Sequence, residues 1–200
     1  MFTGIFDIHG RPKKQMGGGI LTAQIEWEFM ELVQIYQDLE PMRTLEIGSQ
    51  LGGTLYWWLG YAPYGATIAN IDILQNQDEE TAAALPGRWQ SWARADVVLH
   101  TVIGRSDAPE TIARIKEIMP EIDFLFIDAL HTYEGAKFDF ETYGPLVRSG
   151  GIIALHDLMT PEFSPHIQVG KLWREIQAAG YKTRELRAGG AFGGIGVVYL

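Results

Sequence analysis

The run Ile122-Asp123-Phe124-Leu125-Phe126-Ile127-Asp128 constrains this chain more than any other feature. Its apolar residues are nearly continuous, as in a strand buried on both faces at the centre of a parallel sheet. Such a strand needs parallel neighbours on either side and helices above and below, and the rest of the chain must supply them.

The sequence supplies them in alternation. Strands are predicted at Arg43–Gly48, Thr67–Asp72, Val97–Val102, Ile122–Asp128 and Ile152–His156. A helix precedes the first strand, with Ile25, Phe29, Leu32 and Tyr36 on one face, and stops before Pro41. Further helices are predicted at Gly53–Tyr61, in a polar Trp-containing stretch reaching about Ala95, and from Ala108, where Asp107 and Glu110 have capping-box spacing. Ala136, Phe140, Tyr143 and Val147 mark another helical face, after which Gly150-Gly151 turn the chain into the fifth strand. Ser164-Pro165 reads as the N-cap and first residue of a helix carrying Leu172, Trp173 and Ile176. Tyr181–Arg187 and Gly194–Leu200 have only a Gly-rich loop between them, too short for a crossover helix, and predict an antiparallel hairpin. The expected fold is α/β: a doubly wound seven-stranded sheet, mostly parallel, in a single domain over residues 1–200. Residues 1–40 form an N-terminal lid segment and helix, and residues 41–200 the core. Ligands bind such sheets outside the carboxyl ends of the strands.

Charge narrows the partners. Sixteen Lys and Arg face 25 Asp and Glu, a net charge of −9, which disfavours nucleic-acid phosphates and anionic membranes. There is no cysteine, which removes disulfides, thiolate nucleophiles and cysteine metal sites. No apolar run approaches the ~18 residues of a membrane span, and Asp7 and His9 interrupt the N-terminus where a signal peptide would be apolar. The expectation is a soluble cytoplasmic protein, with homo-oligomerisation left open. Arg11, Lys13 and Lys14 read as a solvated basic cluster, and Met16–Gly19 as a flexible lead-in with the makings of a lid hinge. Trp57 and Trp58 should place at least one ring in the core, and Trp89 and Trp92 are candidates for lining an acceptor pocket.

The turn Glu46-Ile47-Gly48-Ser49-Gln50-Leu51-Gly52-Gly53-Thr54 joins the first strand to its helix. Its glycines permit a tight turn and close backbone approach to a ligand, but G-x-G-x-x-G is absent and Glu46 would repel phosphate while suiting a cation. Asp72 ends the second strand, 24 residues after Gly48, where an acid can accept from ribose hydroxyls. Together they point to an adenosine-containing ligand without phosphates.

On these residues, and the terminal hairpin, the chain resembles the class I S-adenosylmethionine-dependent methyltransferases over residues 40–200. The resemblance implies a Rossmann-like sheet and S-adenosylmethionine as cofactor. Gly48 and Gly52 would line methionine and ribose, Asp72 the ribose, and Gly104-Arg105-Ser106 the adenine, with Glu46, Ser49, Thr54 and Asp128 completing the set. Gly52-Gly53-Thr54 departs from the single glycine of many members. The stretch Ile127–Gly135, with Asp139 and then Gly150-Gly151 and His156-Asp157, resembles a subgroup related to catechol O-methyltransferase, macrolide-sugar O-methyltransferases and proteins labelled cephalosporin hydroxylase. That likeness implies a divalent metal, Mg²⁺ or Mn²⁺, held by Asp128 and Asp157 with His156 in the third position. Imidazole suits Mn²⁺, Fe²⁺ or Zn²⁺ better than Mg²⁺, so His156 either orients the site or marks another metal.

His131 is read as a general base or as a histidine bonding backbone at a helix start. Asp139 is read as facing the sheet edge or solvent and receives no role. The expected activity is O-methylation of a small hydroxylated acceptor, with a nicotinamide-dependent oxidoreductase and a non-catalytic cofactor-binding protein as the other readings.

Overall fold

The computed structural model describes residues 24–75, 77–159, 164–187 and 193–200. The lead-in expected over residues 1–20, with its basic cluster and glycine hinge, lies outside the described residues. In chain order the first half comprises α1 (Glu26–Leu39), β1 (Arg43–Ile47), α2 (Gly53–Tyr61), β2 (Thr67–Asp72), α3 (Glu79–Trp92) and β3 (Val98–Ile103). The second half comprises α4 (Pro109–Ile118), β4 (Ile122–Ile127), α5 (Tyr133–Tyr143), β5 (Val147–Leu155), α6 (Val169–Ala178), β6 (Lys182–Leu186) and β7 (Ile195–Tyr199). No helix among the described residues is long and apolar enough to cross a membrane.

The strands form one sheet in the order β3-β2-β1-β4-β5-β7-β6. The first five are parallel, and β7 runs antiparallel between β5 and β6, closing the expected hairpin. The order reverses between β1 and β4, so the loops leaving these strands diverge and open a crevice at their carboxyl ends. β4 is buried at every position. Phe124 and Phe126 face one helical layer while Leu125 and Ile127 face the other, which is why the run shows no alternation.

An aromatic nest fills the first layer. The Trp58 ring lies 4.8 Å from Tyr36, 5.2 Å from Phe124 and 5.7 Å from Phe126. Trp58→Ala is expected to destabilise the fold by about 3–5 kcal/mol, the range for truncating a buried aromatic, measured by chemical denaturation.

Several local expectations need correction. Asp107 does not cap α4: Ala108 occupies the N-cap, and the Asp107 carboxylate is drawn to the Arg105 guanidinium instead. Ser164-Pro165 do not start α6; they form a turn closed by Ile167 N on Ser164 O, and the helix begins at Val169. Val147 is not on the α5 face but opens β5 after a short 3₁₀ turn. Gly150-Gly151 therefore lie inside β5, at the irregularity where its register against β4 shifts between Ile122 and Phe124. The third strand starts one residue later than expected. The Trp-containing stretch is one helix, α3, with Pro86 inside it.

Candidate active site

The crevice at the carboxyl ends of the parallel strands is a cavity of about 690 Å³, within the usual ~300–1,000 Å³ of small-molecule sites. Loops after β1, β2, β3, β4 and β5 all contribute to its walls. At the β1 end the chain turns at Gly48, with φ +91°. A Cβ there would overlap the Asp128 carbonyl at the end of β4, so only glycine lets the two strand ends come this close. Gly52 also has positive φ, but a Cβ there would overlap the Trp89 indole rather than reach the cavity.

Asp72 organises this turn. Its Oδ2 accepts from the backbone N–H of Ser49 (2.8 Å) and of Gln50 (2.7 Å), and Oδ1 from that of Leu74 (2.5 Å). Gln50, Leu74 and Asp157 carry positive φ of 51°, 55° and 60°, a strained conformation for non-glycine residues that clusters here on cavity loops.

The opposite wall carries the titratable cluster. His131 Nε2 lies 3.3 Å from Asp128 Oδ1 and 3.4 Å from Asp157 Oδ2. His156 Nδ1 stands against the same two carboxylates, 3.2 Å from Asp128 Oδ1 and 3.5 Å from Asp157 Oδ2, while its Nε2 is buried without a partner. Burial opposes ionisation of Asp128, yet His156 and His131 hold its carboxyl well below the usual range. Reciprocally, Asp128 draws the His131 imidazole up, and Asp128 and Asp157 raise His156 despite its burial. Donor atoms of Asp128, His131 and Asp157 lie within 4.8 Å of one another, close enough to share one cation. His156 faces the same two carboxylates but is not one of that group of three.

Sequence reasoning missed two residues. Gln24, just before α1, is buried and donates from Nε2 to Asp128 Oδ2 at 2.7 Å. Asp139 is buried rather than at a solvated edge, and it lines the cavity. Six acids, Asp72, Asp107, Asp128, Glu134, Asp139 and Asp157, line the walls against one arginine, Arg105. Ser49, Thr54 and Ser106 also line the cavity, whereas Glu46 and Gly52 do not. Trp89 and Trp92 do not line this cavity: Trp89 is fully buried and donates to Leu51 O, and Trp92 packs on Tyr56.

Residues 45–158 match a family model described as a methyltransferase domain. The chain belongs to this methyltransferase family. The matched region contains every cavity-lining residue except Gln24. An uncharacterized protein of Acanthamoeba polyphaga mimivirus is 33% identical over 93 residues, covering 45% of this chain and 42% of that protein, so the match spans under half the relative's length. Among solved structures, the fold resembles the O-methyltransferase TomG of Streptomyces achromogenes, involved in tomaymycin synthesis and solved with SAM. The TM-score is 0.64 at 16% identity, over 90% of this chain and 81% of that one. A Bacillus cereus O-methyltransferase solved with SAH gives 0.61 at 22% identity, over 88% and 80% of the two chains.

Within the methyltransferase domain Glu46 sits beneath the glycine turn, fully buried, with Thr54 Oγ1 donating to its Oε1 at 2.7 Å and Oε2 unpartnered. Burial pushes its carboxyl up to about 8, against the pull of Thr54. It is therefore mostly neutral at pH 7, and the cavity's negative charge comes from the other acids. A folded-state pKa above the unfolded value means stability is lost as pH rises from the ordinary carboxyl range through about 8. Relative to wild type, Glu46→Gln is expected to gain stability across that window and level off above it. The gain is about 3–5 kcal/mol by the ~1.4 kcal/mol per pKa unit conversion, measured by denaturation of the ligand-free protein at several pH values.

Proposed function

We propose that this protein is an S-adenosylmethionine-dependent methyltransferase acting on a hydroxyl oxygen of a small molecule such as a sugar, a phenol or a natural product. The observation that carries this reading is the acid-walled cavity that meets Gly48 between Asp72 on one side and the Asp128–His131–Asp157 cluster on the other. A cationic sulfonium gains from these carboxylates, whereas a dinucleotide pyrophosphate would be repelled. Asp72 retains lone-pair capacity for ribose beyond the three amides it accepts.

The chemistry asked of the chain is alignment and removal of one proton. Asp128 and His131 hold the acceptor hydroxyl, and His131 takes its proton as the oxygen–methyl bond forms and the sulfur–methyl bond breaks. Asp128 stabilises the imidazolium that results, in the manner of other carboxylate–histidine pairs. Gln24 fixes the second Asp128 oxygen, and the buried His156 holds the carboxylates from below. Alignment of this kind contributes up to ~7–11 kcal/mol in well-oriented reactions. The donor set of two carboxylates and one imidazole also fits a divalent cation, with Mn²⁺ or Fe²⁺ better matched than Mg²⁺. Bound there, a cation would lower the pKa of the acceptor hydroxyl.

The test is transfer of a labelled methyl group from S-adenosylmethionine to a panel of hydroxylated acceptors, with and without chelator, and mass analysis of the products. O-methylated product supports the reading, and loss with chelator that Mn²⁺ restores supports the cation. Methyl groups found only on nitrogen, or no transfer to any acceptor, contradict it.

A further inference from the structure

Gln24 is the one cavity-lining residue, among those described, that lies outside residues 45–158, and it is 2% exposed. Its Nε2 donates to Asp128 Oδ2 at 2.7 Å, while its Oε1 is buried with no hydrogen-bond partner among the described residues. A buried carbonyl left without a donor costs stability. The reverse orientation of the amide would set that carbonyl against a carboxylate, so the contact with Asp128 decides which way the side chain lies.

The same end of α1 reaches the second carboxylate through the backbone. Glu28, also buried, accepts from Gly194 N at 2.8 Å, and a Cβ at Gly193 would overlap the Ile25 side chain. The turn at 193–194 is therefore pressed against the first residues of the helix. On its other side Gly194 O accepts from Leu158 N (3.2 Å) and Gly193 O from Met159 N (2.9 Å), the two residues that follow Asp157. Asp128 and Asp157 leave the neighbouring strands β4 and β5 and share His131 between them, at 3.3 and 3.4 Å. Two carboxylates repel each other, so their separation has to be held from outside the pair.

We propose that the head of α1 is a clamp that sets this separation. Gln24 is its positioning residue on the Asp128 side, and the Glu28–Gly194 contact anchors the Asp157 side. The inference rests on the proposed methyl transfer and gives the helix that precedes the sheet a part in it. Without the Gln24 amide the Asp128 carboxylate is held through one oxygen only, and the seat it makes for His131 loosens. A misplacement of about 1 Å can cost a reaction about a hundredfold. The ribose end is untouched, since Asp72 and the glycine turn are held by their own hydrogen bonds.

The experiment measures kcat and acceptor KM for wild type, Gln24→Met, Gln24→Asn, Asp128→Asn and the double variant Gln24→Met with Asp128→Asn. Calorimetry with S-adenosylhomocysteine runs beside it. Gln24→Met keeps the length of the side chain, and Gln24→Asn keeps an amide that falls one methylene short of Asp128. Both are expected to lower kcat by about ten- to a hundredfold while KM and S-adenosylhomocysteine affinity stay near wild type. In the double variant the Gln24 substitution should cost nothing beyond Asp128→Asn, as for residues that act as a unit. Wild-type kcat in either folded Gln24 variant overturns the inference. So does a loss confined to KM or matched in S-adenosylhomocysteine affinity, which would make Gln24 a ligand contact. Additive losses in the double variant overturn it as well, since Gln24 would then act apart from Asp128. Each of these results leaves the methyl-transfer reading intact, whereas no transfer by the wild type to any acceptor overturns both.

Discussion

Gly48→Ala is expected to destabilise the fold by more than about 4 kcal/mol and to abolish cofactor binding in whatever protein remains folded. Two effects add at this position. The backbone sits at φ +91°, where an L side chain is strained by about 1–3 kcal/mol. The new methyl would also overlap the Asp128 carbonyl, a backbone group held by Asp128 N on Ile47 O at 2.8 Å and unable to swing aside like a flexible side chain. Relief requires β1 and β4 to part at their carboxyl ends, at the sheet's switch point. Losses above about 4 kcal/mol are exceptional for single substitutions and belong to sites of this kind. Chemical denaturation gives the stability loss. Gly180→Ala is a useful comparison, since that glycine has positive φ and open space around it, and should show the strain alone.

Asp128→Asn is expected to lower turnover by about 10²–10⁴-fold on any acceptor the wild type methylates, the range for losing a positioned acid–base group. The substitution conserves shape but removes the charge that raises the proton affinity of His131, faces His156 Nδ1, and accepts from Gln24. Because Asp128 lies away from Asp72 and the ribose end, affinity for S-adenosylhomocysteine should change far less than turnover. Steady-state kinetics beside calorimetry separate the two. A variant that loses binding and turnover equally would make Asp128 a ligand contact rather than part of the chemistry.

The sheet was legible because its evidence is local. Ile122–Ile127 shows no polar alternation and Gly48 opens a strand-to-helix turn, and neither signal depends on distant residues. The gathering of polar residues at the strand ends was legible for the same reason: Asp72, Asp128, His156 and Asp157 each close or follow a parallel strand, and topology brings those ends together. Burial was harder to read. Glu46 carries a formal charge in sequence, but β1 is buried on both faces, so its carboxyl lies beneath the cavity wall and is mostly neutral. Trp89 and Trp92 belong to the packing of α3 on α2, because an aromatic ring on an amphipathic helix gives no sign of which side meets a cavity.

Long-range contacts left no trace at all. Gln24 meets Asp128 across 104 residues, and nothing in its neighbourhood marks it. Asp139 did carry a signal: it stands three residues after Ala136 and four before Tyr143, on a face otherwise committed to the core. An acid on a buried helical face requires a partner or a ligand, a signal that the sequence reading passed over when it gave Asp139 no role.

Calorimetric titration of the purified protein with S-adenosylmethionine and S-adenosylhomocysteine, alongside NAD and Asp72→Ala, addresses the cavity most directly. Saturable binding of both adenosyl ligands at one site per chain is predicted, with no heat from NAD and at least a tenfold loss in Asp72→Ala. NAD saturating the site while the adenosyl ligands give no heat, or undiminished affinity in Asp72→Ala, would contradict it.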